Sequence, residues 1–297
     1  MQPPHPDILF IVNPNAGKRD NRQLLKKIKR YRDLIDVQFS EYAGHCREIV
    51  GKELANYKVF VAAGGDGTVN EVASALAGTG KPVAVYPAGS GNGFAREFGF
   101  DRNVKKLLAS IENEQVIQTD VLDLNGKISI NMAGVGFDSA VAHYFSHLKK
   151  RGFLNYVFST IQTIKNYRPV HVKIERKKET IEGDFFLVSI ANTRQFGNNA
   201  FIAPEADPQD GRMDLILVSP FPRWLFPRFA FQLFKGTLKP SKYITVVSCK
   251  KVIAMTTAEN KFHIDGEPEF LDSPVGIKVL KGALSVVDTG EIKFKTR

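Results

Sequence analysis

Three glycine-bearing segments hold the residues best suited to binding phosphate. They are residues 13–18 (NPNAGK), 64–71 (GGDGTVNE) and 87–93 (PAGSGNG). Glycine lets the backbone turn sharply and approach a ligand closely, and the unpaired N–H groups at the start of a helix attract anions. Asp66 lies among the glycines of the second segment, where its carboxylate could orient a metal ion or a water molecule on that phosphate. The chemistry that these segments indicate is the binding of a polyphosphate.

The second segment also permits a purely structural interpretation. Thr68 and Glu71 have the spacing of a capping box, in which two side chains satisfy free N–H groups at the start of a helix. For these two residues, capping and ligand binding both remain open. Three glycines around Asp66 are more than a helix cap requires, and neither the dinucleotide motif Gly-x-Gly-x-x-Gly nor a Walker A loop is present.

Acidic residues in the second half of the chain could bind a metal ion or act as a base. Residues 203–214 (APEADPQDGRMD) are rich in acids and turn formers, which suits a hard cation with oxygen ligands or, alternatively, an exposed loop. Glu267 follows a predicted turn, where solvated surface residues are common. His143 and His147 have the spacing of two zinc ligands, but they lack a His-Glu-x-x-His motif, so we interpret them as surface or partly buried residues.

The first 122 residues alternate between short apolar runs and stretches of helical period, which predicts a parallel sheet covered by helices. Strands are predicted near residues 8–12, 37–39, 59–63 and 83–86, and the helices include residues 69–77 and 104–111. Each glycine-bearing segment follows a predicted strand. Because loops beyond the carboxyl ends of parallel strands share one edge of the sheet, the three segments can converge on one site.

From residue 121 onward the pattern changes to strand-like alternation, which predicts a mostly antiparallel β domain. Candidate strands are residues 127–132, 170–175, 182–191, 213–218, 244–247, 252–255 and 276–280, and helices are predicted at residues 139–150 and 153–167. We therefore predict an α/β domain at residues 1–122 and a β-rich domain at residues 123–284. Residues 285–297 could return to complete the first domain.

In their order along the chain, these motifs resemble the diacylglycerol kinase catalytic family, which includes bacterial diacylglycerol kinases and the sphingosine and ceramide kinases. The resemblance rests on Asn13-Pro14, Gly17-Lys18, Gly64 to Thr68, Asn70-Glu71, Pro87 to Asn92, Asn131, Gly134, Gly136-Phe137-Asp138, residues 207–212 and Asp265-Gly266-Glu267. Gly-Gly-Asp-Gly alone is shared with NAD kinases and phosphofructokinases, but the combination with the other loops is much more specific. The resemblance implies a doubly wound α/β nucleotide-binding domain followed by a mostly antiparallel β-sandwich domain that takes the lipid.

The resemblance also implies roles for individual residues. ATP would lie between the domains, in contact with Asn13, Ser40, Gly64, Gly65, Asp66, Gly67, Thr68, Asn70, Glu71, Ser90 and Asn92. Asp66 would organise Mg²⁺ and water, and Glu267 would act as the base on the acceptor hydroxyl. A second, structural Mg²⁺ site would use Asp207, Asp210 and the backbone carbonyl of Arg212. Asp138 would position the acceptor, although it could instead cap the helix predicted from Ser139.

The implied activity is transfer of the γ-phosphate of ATP to the primary hydroxyl of diacylglycerol or a similar lipid. One departure concerns the acceptor, because Gly93 stands where bacterial diacylglycerol kinases commonly have aspartate, and Gly-Ser-Gly-Asn is closer to the sphingosine kinase form. A sphingoid-base kinase and a soluble-acceptor kinase similar to NAD kinase are therefore alternatives. A further alternative is a non-catalytic basic binding module. The presence of both Asp66 and Glu267 argues against it.

The chain has 41 Lys and Arg against 31 Asp and Glu, a formal net charge of +10. The basic residues look dispersed and no nucleic-acid-binding motif is evident, so we predict no nucleic-acid partner. Residues 220–234, which hold the only Trp among further aromatic and basic residues, are the best candidate for docking on a membrane, unless they form a core helix. Lys149-Lys150-Arg151 beside Phe153-Leu154 is a weaker candidate.

The remaining composition bounds the setting of the protein. Cys46 and Cys249 are the only cysteines, which excludes a disulfide framework. The first residues lack the pattern of a signal peptide, and every apolar run is shorter than the roughly 18 residues of a transmembrane helix. We expect a cytoplasmic protein that associates peripherally with the membrane and could form a homodimer.

Overall fold

The computed structural model describes residues 6–16, 18–148, 153–177 and 179–292. The chain divides into two compact units, of which the first ends at Thr119 and resumes at Gly282, while the second spans Asp120–Lys281. Several residues that the sequence singled out lie outside the described residues or have side chains that are not described: Gly17, Lys18, Lys149, Lys150, Arg151, Phe153 and Leu154.

The first unit is built on parallel strands in the order β2–β1–β3–β4. Its elements are β1 (Ile8–Val12), α1 (Lys18–Ile28), a 3-10 helix (Lys29–Tyr31), β2 (Ile35–Phe39), α2 (His45–Glu53), β3 (Val59–Gly64), α3 (Asp66–Leu76), β4 (Pro82–Pro87), α4 (Gly93–Glu97) and α5 (Val104–Glu112). Every residue of β1 is buried, as is β3 beyond Val59. Continuously apolar strands are typical of parallel sheets covered by helices, so the predicted architecture is confirmed.

The second unit is mostly antiparallel. Its elements are β5 (Val116–Leu124), β6 (Lys127–Ser129), β7 (Met132–Gly136), α6 (Phe137–Ser146), α7 (Phe153–Asn166), β8 (Val170–Glu175), β9 (Thr180–Phe185), β10 (Leu187–Ala191), β11 (Met213–Val218), a 3-10 helix (Arg223–Leu225), α8 (Phe226–Lys235), β12 (Ile244–Cys249), β13 (Lys251–Thr257), β14 (Lys261–Ile264), β15 (Glu267–Phe270) and β16 (Val275–Val287). One sheet has the order β12–β11–β10–β7–β14–β15, and β16, β13, β8 and β9 pair in the other. The predicted β-rich architecture is confirmed.

Alternation along the strands builds the sandwich. In β10, Val188 and Ile190 point into a core that also contains Val172 and Val252 of the opposite sheet. Leu187 points the other way, into a second core cluster to which α6, α7 and α8 contribute. Because successive side chains of a strand face opposite sides, a run of apolar residues can serve both layers at once. In the described part of the chain, no helix is long and apolar enough to cross a membrane.

Like β5, whose first four residues belong to the first unit, strand β16 contributes to both units. Within the second unit its first half pairs antiparallel with β13, where Ile277 lies opposite Val252. Its last residues belong to the first unit, where Ser285 and Val286 pair in parallel with Pro82 and Val83 of β4. The first unit is therefore made of two separate stretches of sequence.

Candidate active site

The parallel strands of the first unit end together at one edge. In the register of pairing, Val12 lies opposite Ala63, and Gly64 lies opposite Pro87. Ser40, which follows β2, donates its N–H to the Val12 carbonyl at 3.0 Å. The loops that follow β1, β3 and β4 therefore start side by side, as their positions in the sequence predict.

Glycine is required where the second and third loops meet. A Cβ atom on Gly89 would lie 2.6 Å from the Gly65 Cα atom and 2.9 Å from Asn92 Oδ1. Gly65 is also the N-cap residue of α3 and supplies no side-chain acceptor, so the first N–H groups of this helix need acceptors from elsewhere. A helix start beside two closely packed glycines is the kind of backbone arrangement that binds a phosphate group.

The carboxylate of Asp66 fastens the third loop to the second. Its Oδ1 accepts a hydrogen bond from the Gly93 N–H at 2.7 Å, and its Oδ2 accepts one from the Asn92 N–H at 2.9 Å. Asn92 is the N-cap residue of α4 and makes no side-chain cap, so Asp66 supplies the acceptor for this helix start. A carboxylate oxygen has two lone pairs, so this bracing role is compatible with a metal ion on the same group.

Asn13 joins the first loop to the second. Its Nδ2 donates to the Oγ1 of the buried Thr68 at 3.1 Å, and its Oδ1 accepts from the Asn15 N–H at 2.9 Å. Side-chain hydrogen bonds thus connect all three loops, the first through Asn13 and the third through Asp66.

Glu71 has a role that local sequence reasoning missed. Its Oε1 accepts from the Gly44 N–H at 2.8 Å and its Oε2 from the Cys46 N–H at 3.1 Å, so this carboxylate caps the start of α2. The capping-box interpretation of Thr68 and Glu71 is wrong, because α3 begins at Asp66 with Gly65 as its N-cap. The spacing fits the motif, but the helix starts earlier in the chain than that motif requires.

The other predicted nucleotide contacts have diverse surroundings. Ser90 is exposed on the third loop, whereas Gly67 and Asn70 are half-buried on α3. Ser40 is buried, and its side chain hydrogen-bonds the thiol of Cys46. Burial raises the pKa of that thiol to about 12, so Cys46 is a packed residue and not a nucleophile.

Arg102 holds the third loop by hydrogen bonds and was not predicted as a site residue. Its Nε donates to the Pro87 carbonyl at 2.8 Å, and its Nη2 donates to the Gly89 carbonyl at 3.4 Å. These carbonyls belong to the last residue of β4 and to the loop after it. An arginine 13 positions beyond Gly89, in a stretch without motif character, offers no sequence signal for this contact.

In the second unit, Glu267 follows a tight hairpin turn. Asp265 and Gly266 have φ values of 51° and 87°, which is the left-handed backbone of a two-residue Asp-Gly turn, and Glu267 closes the hairpin opposite Ile264. The buried Asp265 carboxylate accepts hydrogen bonds from Ser129 Oγ at 2.7 Å and from the N–H groups of Ile130, Asn131 and Met132 at 2.9 Å. The base proposed from the resemblance thus follows a turn that is held by the strand next to it.

Asp138 is paired with a buried histidine. Its Oδ2 lies 3.1 Å from His263 Nε2, and its Oδ1 accepts from the Ser139 N–H at 2.8 Å. The capping alternative for Asp138 is wrong, because α6 begins at Phe137 with Gly136 as its N-cap. Gly134 lies opposite His263 across two strands, and a Cβ there would be 2.6 Å from Asp138 Oδ2. The absence of a side chain at Gly134 makes room for the pair.

Asp207 and Asp210 occupy one tight loop. Asp207 Oδ1 accepts from the Gln209 N–H at 3.0 Å, and Asp210 Oδ1 accepts from the Arg212 N–H at 2.8 Å. The fully buried Asp120 holds this loop by accepting from the Gly211 N–H at 2.6 Å, a contact that was not predicted. Two carboxylates and a backbone carbonyl are the hard oxygen donors that Mg²⁺ prefers. Over the described residues, no cluster of three or more His, Cys, Asp or Glu side chains is arranged to hold a metal ion.

The two histidines with zinc spacing have ordinary structural partners. His147 Nδ1 lies 2.6 Å from the His143 carbonyl, and His143 Nε2 lies 3.1 Å from the Phe262 carbonyl. Burial lowers the pKa of His143. Their interpretation as surface or partly buried residues is confirmed, because His143 is half-buried and His147 is exposed.

Two family models match the chain. The model described as "Diacylglycerol kinase catalytic domain" matches residues 7–124, and the model described as "YegS C-terminal NAD kinase beta sandwich-like domain" matches residues 131–288. The first match contains the three glycine-bearing loops, and the second contains Asp138, the loop of Asp207 and the hairpin of Glu267. The order of the two matches is the order of motifs on which the resemblance rests.

Individual proteins extend this similarity along most of the chain. A Pseudomonas aeruginosa protein named "Probable lipid kinase YegS-like" is 32% identical over 71% of this chain and 71% of its own length. The "Diacylglycerol kinase" of Bacillus subtilis is 27% identical over 87% of this chain and 88% of its own length. A solved structure from Bacillus anthracis has a TM-score of 0.78 at 26% identity and covers 95% of this chain and 96% of that chain.

A second structure from the same organism, described as one of its diacylglycerol kinases, has a TM-score of 0.73 at 23% identity and supports the fold alone. The sandwich model by itself spans more than half of the chain, and the catalytic-domain model covers most of the remainder. The doubly wound and sandwich units, the loops and the homologous sequences agree, and we conclude that this chain is a kinase belonging to the diacylglycerol kinase family of lipid kinases.

Proposed function

We propose that this lipid kinase transfers the γ-phosphate of ATP to the primary hydroxyl of diacylglycerol or a similar lipid, with Mg²⁺ as its metal. The observation that carries the proposal is the set of three connected loops at the start of α3, with Gly65 against Gly89 and Asp66 bonded to Gly93. Phosphoryl transfer depends on positioning and charge neutralisation more than on covalent chemistry with the enzyme. A braced cradle of N–H groups supplies that positioning.

The nucleotide side of the reaction belongs to the first unit. The N–H groups at the start of α3 bind phosphate oxygens, and the exposed hydroxyl of Ser90 adds a donor from the third loop. Asn13 and Thr68 hold the first loop in register with the second. Asp66 would hold Mg²⁺ on the phosphates, and this ion would neutralise the negative charge of the transferred group.

The acceptor side belongs to the second unit. As the hydroxyl oxygen bonds to the γ-phosphorus, the bond from that phosphorus to the β–γ bridging oxygen breaks, ADP leaves, and the hydroxyl proton passes to Glu267. Asp138 orients the acceptor hydroxyl, while His263 holds Asp138 in place. Asp207, Asp210 and the Arg212 carbonyl would hold a second, structural Mg²⁺.

A sphingoid base is the second candidate acceptor. Gly93 gives its N–H to Asp66 and presents no side chain, so the third loop brings no second carboxylate to this point. A positively charged amine beside the acceptor hydroxyl distinguishes sphingoid bases from diacylglycerol. A direct comparison of the two substrates therefore decides between the candidates.

The test is a phosphorylation assay with labelled ATP and Mg²⁺. Mixed micelles contain diacylglycerol, sphingosine, ceramide or monoacylglycerol, and NAD is offered separately in solution. We expect label in phosphatidic acid from diacylglycerol. Label in sphingosine phosphate alone would select the second candidate, and absence of label from all four lipids would contradict the proposal.

The role of Glu267 is tested by E267Q, which keeps the shape of the side chain but cannot take up a proton. We expect kcat to fall by roughly 10²–10⁴-fold, the usual contribution of general base catalysis. The matched control is E269Q, two residues along the same strand, whose carboxylate pairs with Lys127 at 3.1 Å. Equal activity of the E267Q and E269Q variants would remove Glu267 from the mechanism.

A further inference from the structure

Residues 219–243, called here the α8 excursion, leave the six-stranded sheet and return to it at nearly the same point. The excursion begins after β11 and ends before the edge strand β12. Ser219 donates its N–H to the Tyr243 carbonyl at 2.8 Å, so its two ends meet. The 3-10 helix Arg223–Leu225 and α8 form its middle.

One face of α8 packs onto the second unit. Phe226, Phe229 and Leu233 recur at helical spacing and lie against the core cluster on the outer side of the sheet. The Phe226 ring is 5.9 Å from that of Phe137, and the Phe229 ring is 5.6 Å from that of Phe221. The core-helix alternative is therefore correct for this face.

The opposite face of the same helix carries large exposed rings. At about 100° per residue, Phe231 lies roughly opposite to Phe226, Phe229 and Leu233, and Phe234 lies on the flank of the helix, about 60° from Phe231. Phe231 is 63% exposed, Phe234 is 47% exposed, and Trp224, just before the helix, is 77% exposed. No residue of α8 is buried, because even its inner face is only partly covered. Single exposed apolar residues are normal, but several on one helix face mark an interaction site.

The stretch of chain around these rings is rich in cations that no acidic residue of the same stretch opposes. Residues 215–258 contain seven Lys and Arg and no Asp or Glu, a local net charge of +7 within a chain whose net charge is +10. Five of the seven cations lie in the α8 excursion and all five are exposed: Arg223, Arg228, Lys235, Lys239 and Lys242. None of the five pairs with an acidic side chain among the described residues. The expectation that basic residues are dispersed among acidic ones is wrong for this stretch, which contains no Asp or Glu.

We propose that the outer face of α8, with Trp224, docks on an anionic lipid bilayer. This inference rests on the proposed function, because it assigns the surface by which a lipid kinase meets its substrate. Aromatic rings, above all that of Trp, prefer the interface between headgroups and acyl chains. Cations beside the rings are attracted by anionic headgroups. Lys235 Nζ lies 5.9 Å from the Phe231 ring, which places a charge and an apolar group at one position.

An anionic surface is favoured over an apolar protein partner because the excursion combines its rings with unpaired cations of one sign. A helix lying in the membrane plane with Lys and Arg beside Trp and Phe has this composition. A protein partner would need an apolar groove with an acidic rim, and a nucleic acid would need to place its phosphates along the cations. Binding to nucleic acid is one of the outcomes of the test below.

The test measures binding of the full-length protein to vesicles by flotation. We expect binding to vesicles of equal parts phosphatidylcholine and phosphatidylglycerol, and at least tenfold weaker binding to phosphatidylcholine alone. The double variant W224A/F231A should lose at least tenfold in binding to the anionic vesicles. The variant R223Q/R228Q/K235Q should bind anionic and neutral vesicles alike.

Two matched controls make the surface assignment falsifiable. F270A removes a ring that is 68% exposed elsewhere in the second unit, and K26Q/K29Q/R30Q removes three exposed cations from the first unit. Both controls should bind like the unaltered protein. Equal losses in the controls and in the α8 variants would overturn the proposal, as would binding of the unaltered protein to single-stranded DNA but not to anionic vesicles.

The same variants separate this inference from the proposed function. W224A/F231A should lose activity on diacylglycerol embedded in vesicles but retain activity on dioctanoylglycerol dispersed in water. If the unaltered protein phosphorylates no lipid, the proposed function fails while flotation still decides the docking surface. If the double variant keeps full activity on vesicles and full binding, the docking surface is refuted and the proposed function stands.

Discussion

At the scale of single residues, one buried carboxylate determines the backbone next to the proposed base. Asp265 accepts four hydrogen bonds from the segment between Ser129 and Met132 and also adopts the left-handed backbone of the hairpin turn. Hydrogen bonds to a buried charged group are worth more than those between neutral groups. Glu267, two residues later, therefore depends on Asp265 for its position.

Replacement of Asp265 by asparagine should destabilise the second unit by about 2 kcal/mol. Asparagine tolerates the same backbone conformation, but its amide group cannot accept hydrogen bonds at both ends, so N–H groups lose their acceptor. Urea unfolding measures the change. The exposed Asp272 offers the matched variant D272N, for which we expect less than about 0.5 kcal/mol. Equal midpoints for D265N and D272N would show that the carboxylate is dispensable.

Residue types and spacing are sufficient to predict the loops but not the hydrogen bonds that hold them in place. The segments at Asn13, Gly64 and Pro87 are visible in the sequence because each is local and follows a strand. The bond from Asn131 to Asp265 spans 134 positions, and the bond from Gly211 to Asp120 spans 91. No local pattern records such pairs, because the partners meet only once the strands between them have paired.

At the scale of elements, the contact of the second and third loops depends on having no Cβ at Gly89. The Gly89→Ala variant should lose most kinase activity and about 1–3 kcal/mol of stability, because the added methyl group would lie 2.6 Å from the Gly65 backbone and force the loops apart. Activity assays and thermal unfolding measure the two effects.

Gly51 in α2 provides the control for Gly89. A Cβ there would have no neighbour within 4 Å, so G51A should stabilise the protein by about 0.5–1 kcal/mol and leave activity unchanged. If G89A retained the activity of G51A, close approach of the two loops would not be needed for phosphate binding.

The sequence predicts which elements exist more reliably than where they begin. The helix predicted from residue 69 begins at Asp66, and the helix predicted from residue 139 begins at Phe137. In both cases a glycine directly precedes the helix and takes the N-cap position without a side-chain acceptor. Apolar periodicity reports the buried middle of a helix, whereas the first turn here is set by the loop that it forms.

At the scale of the whole molecule, the first unit needs the far end of the chain. Beyond the pairing of β16 with β4, Gly78 donates its N–H to the Ala283 carbonyl at 2.6 Å, and Thr289 Oγ1 donates to the Phe98 carbonyl at 2.8 Å. Lys106 forms an ion pair with Glu291 at 3.0 Å. Residues 282–292 are therefore a structural part of the unit that carries the phosphate-binding loops.

A fragment of residues 1–119 should consequently fail to unfold cooperatively, because β4 would lose its partner and expose buried residues. Joining residue 119 to residue 282 through a flexible linker should restore a cooperative urea transition. Circular dichroism and dispersion of amide resonances measure both fragments. A cooperative transition of the unlinked fragment, equal to that of the linked one, would contradict a structural role for residues 282–292.

The return of β16 to the first unit also has a consequence for the order of events during synthesis. A ribosome that has made β4 must still translate the whole second unit before Val286 emerges to pair with Val83. At about 5–20 residues per second, this delay amounts to roughly ten to forty seconds. The nascent N-terminal sheet therefore keeps an unpaired edge at β4 until the second unit has been translated. The unit that is synthesised first is thus completed last.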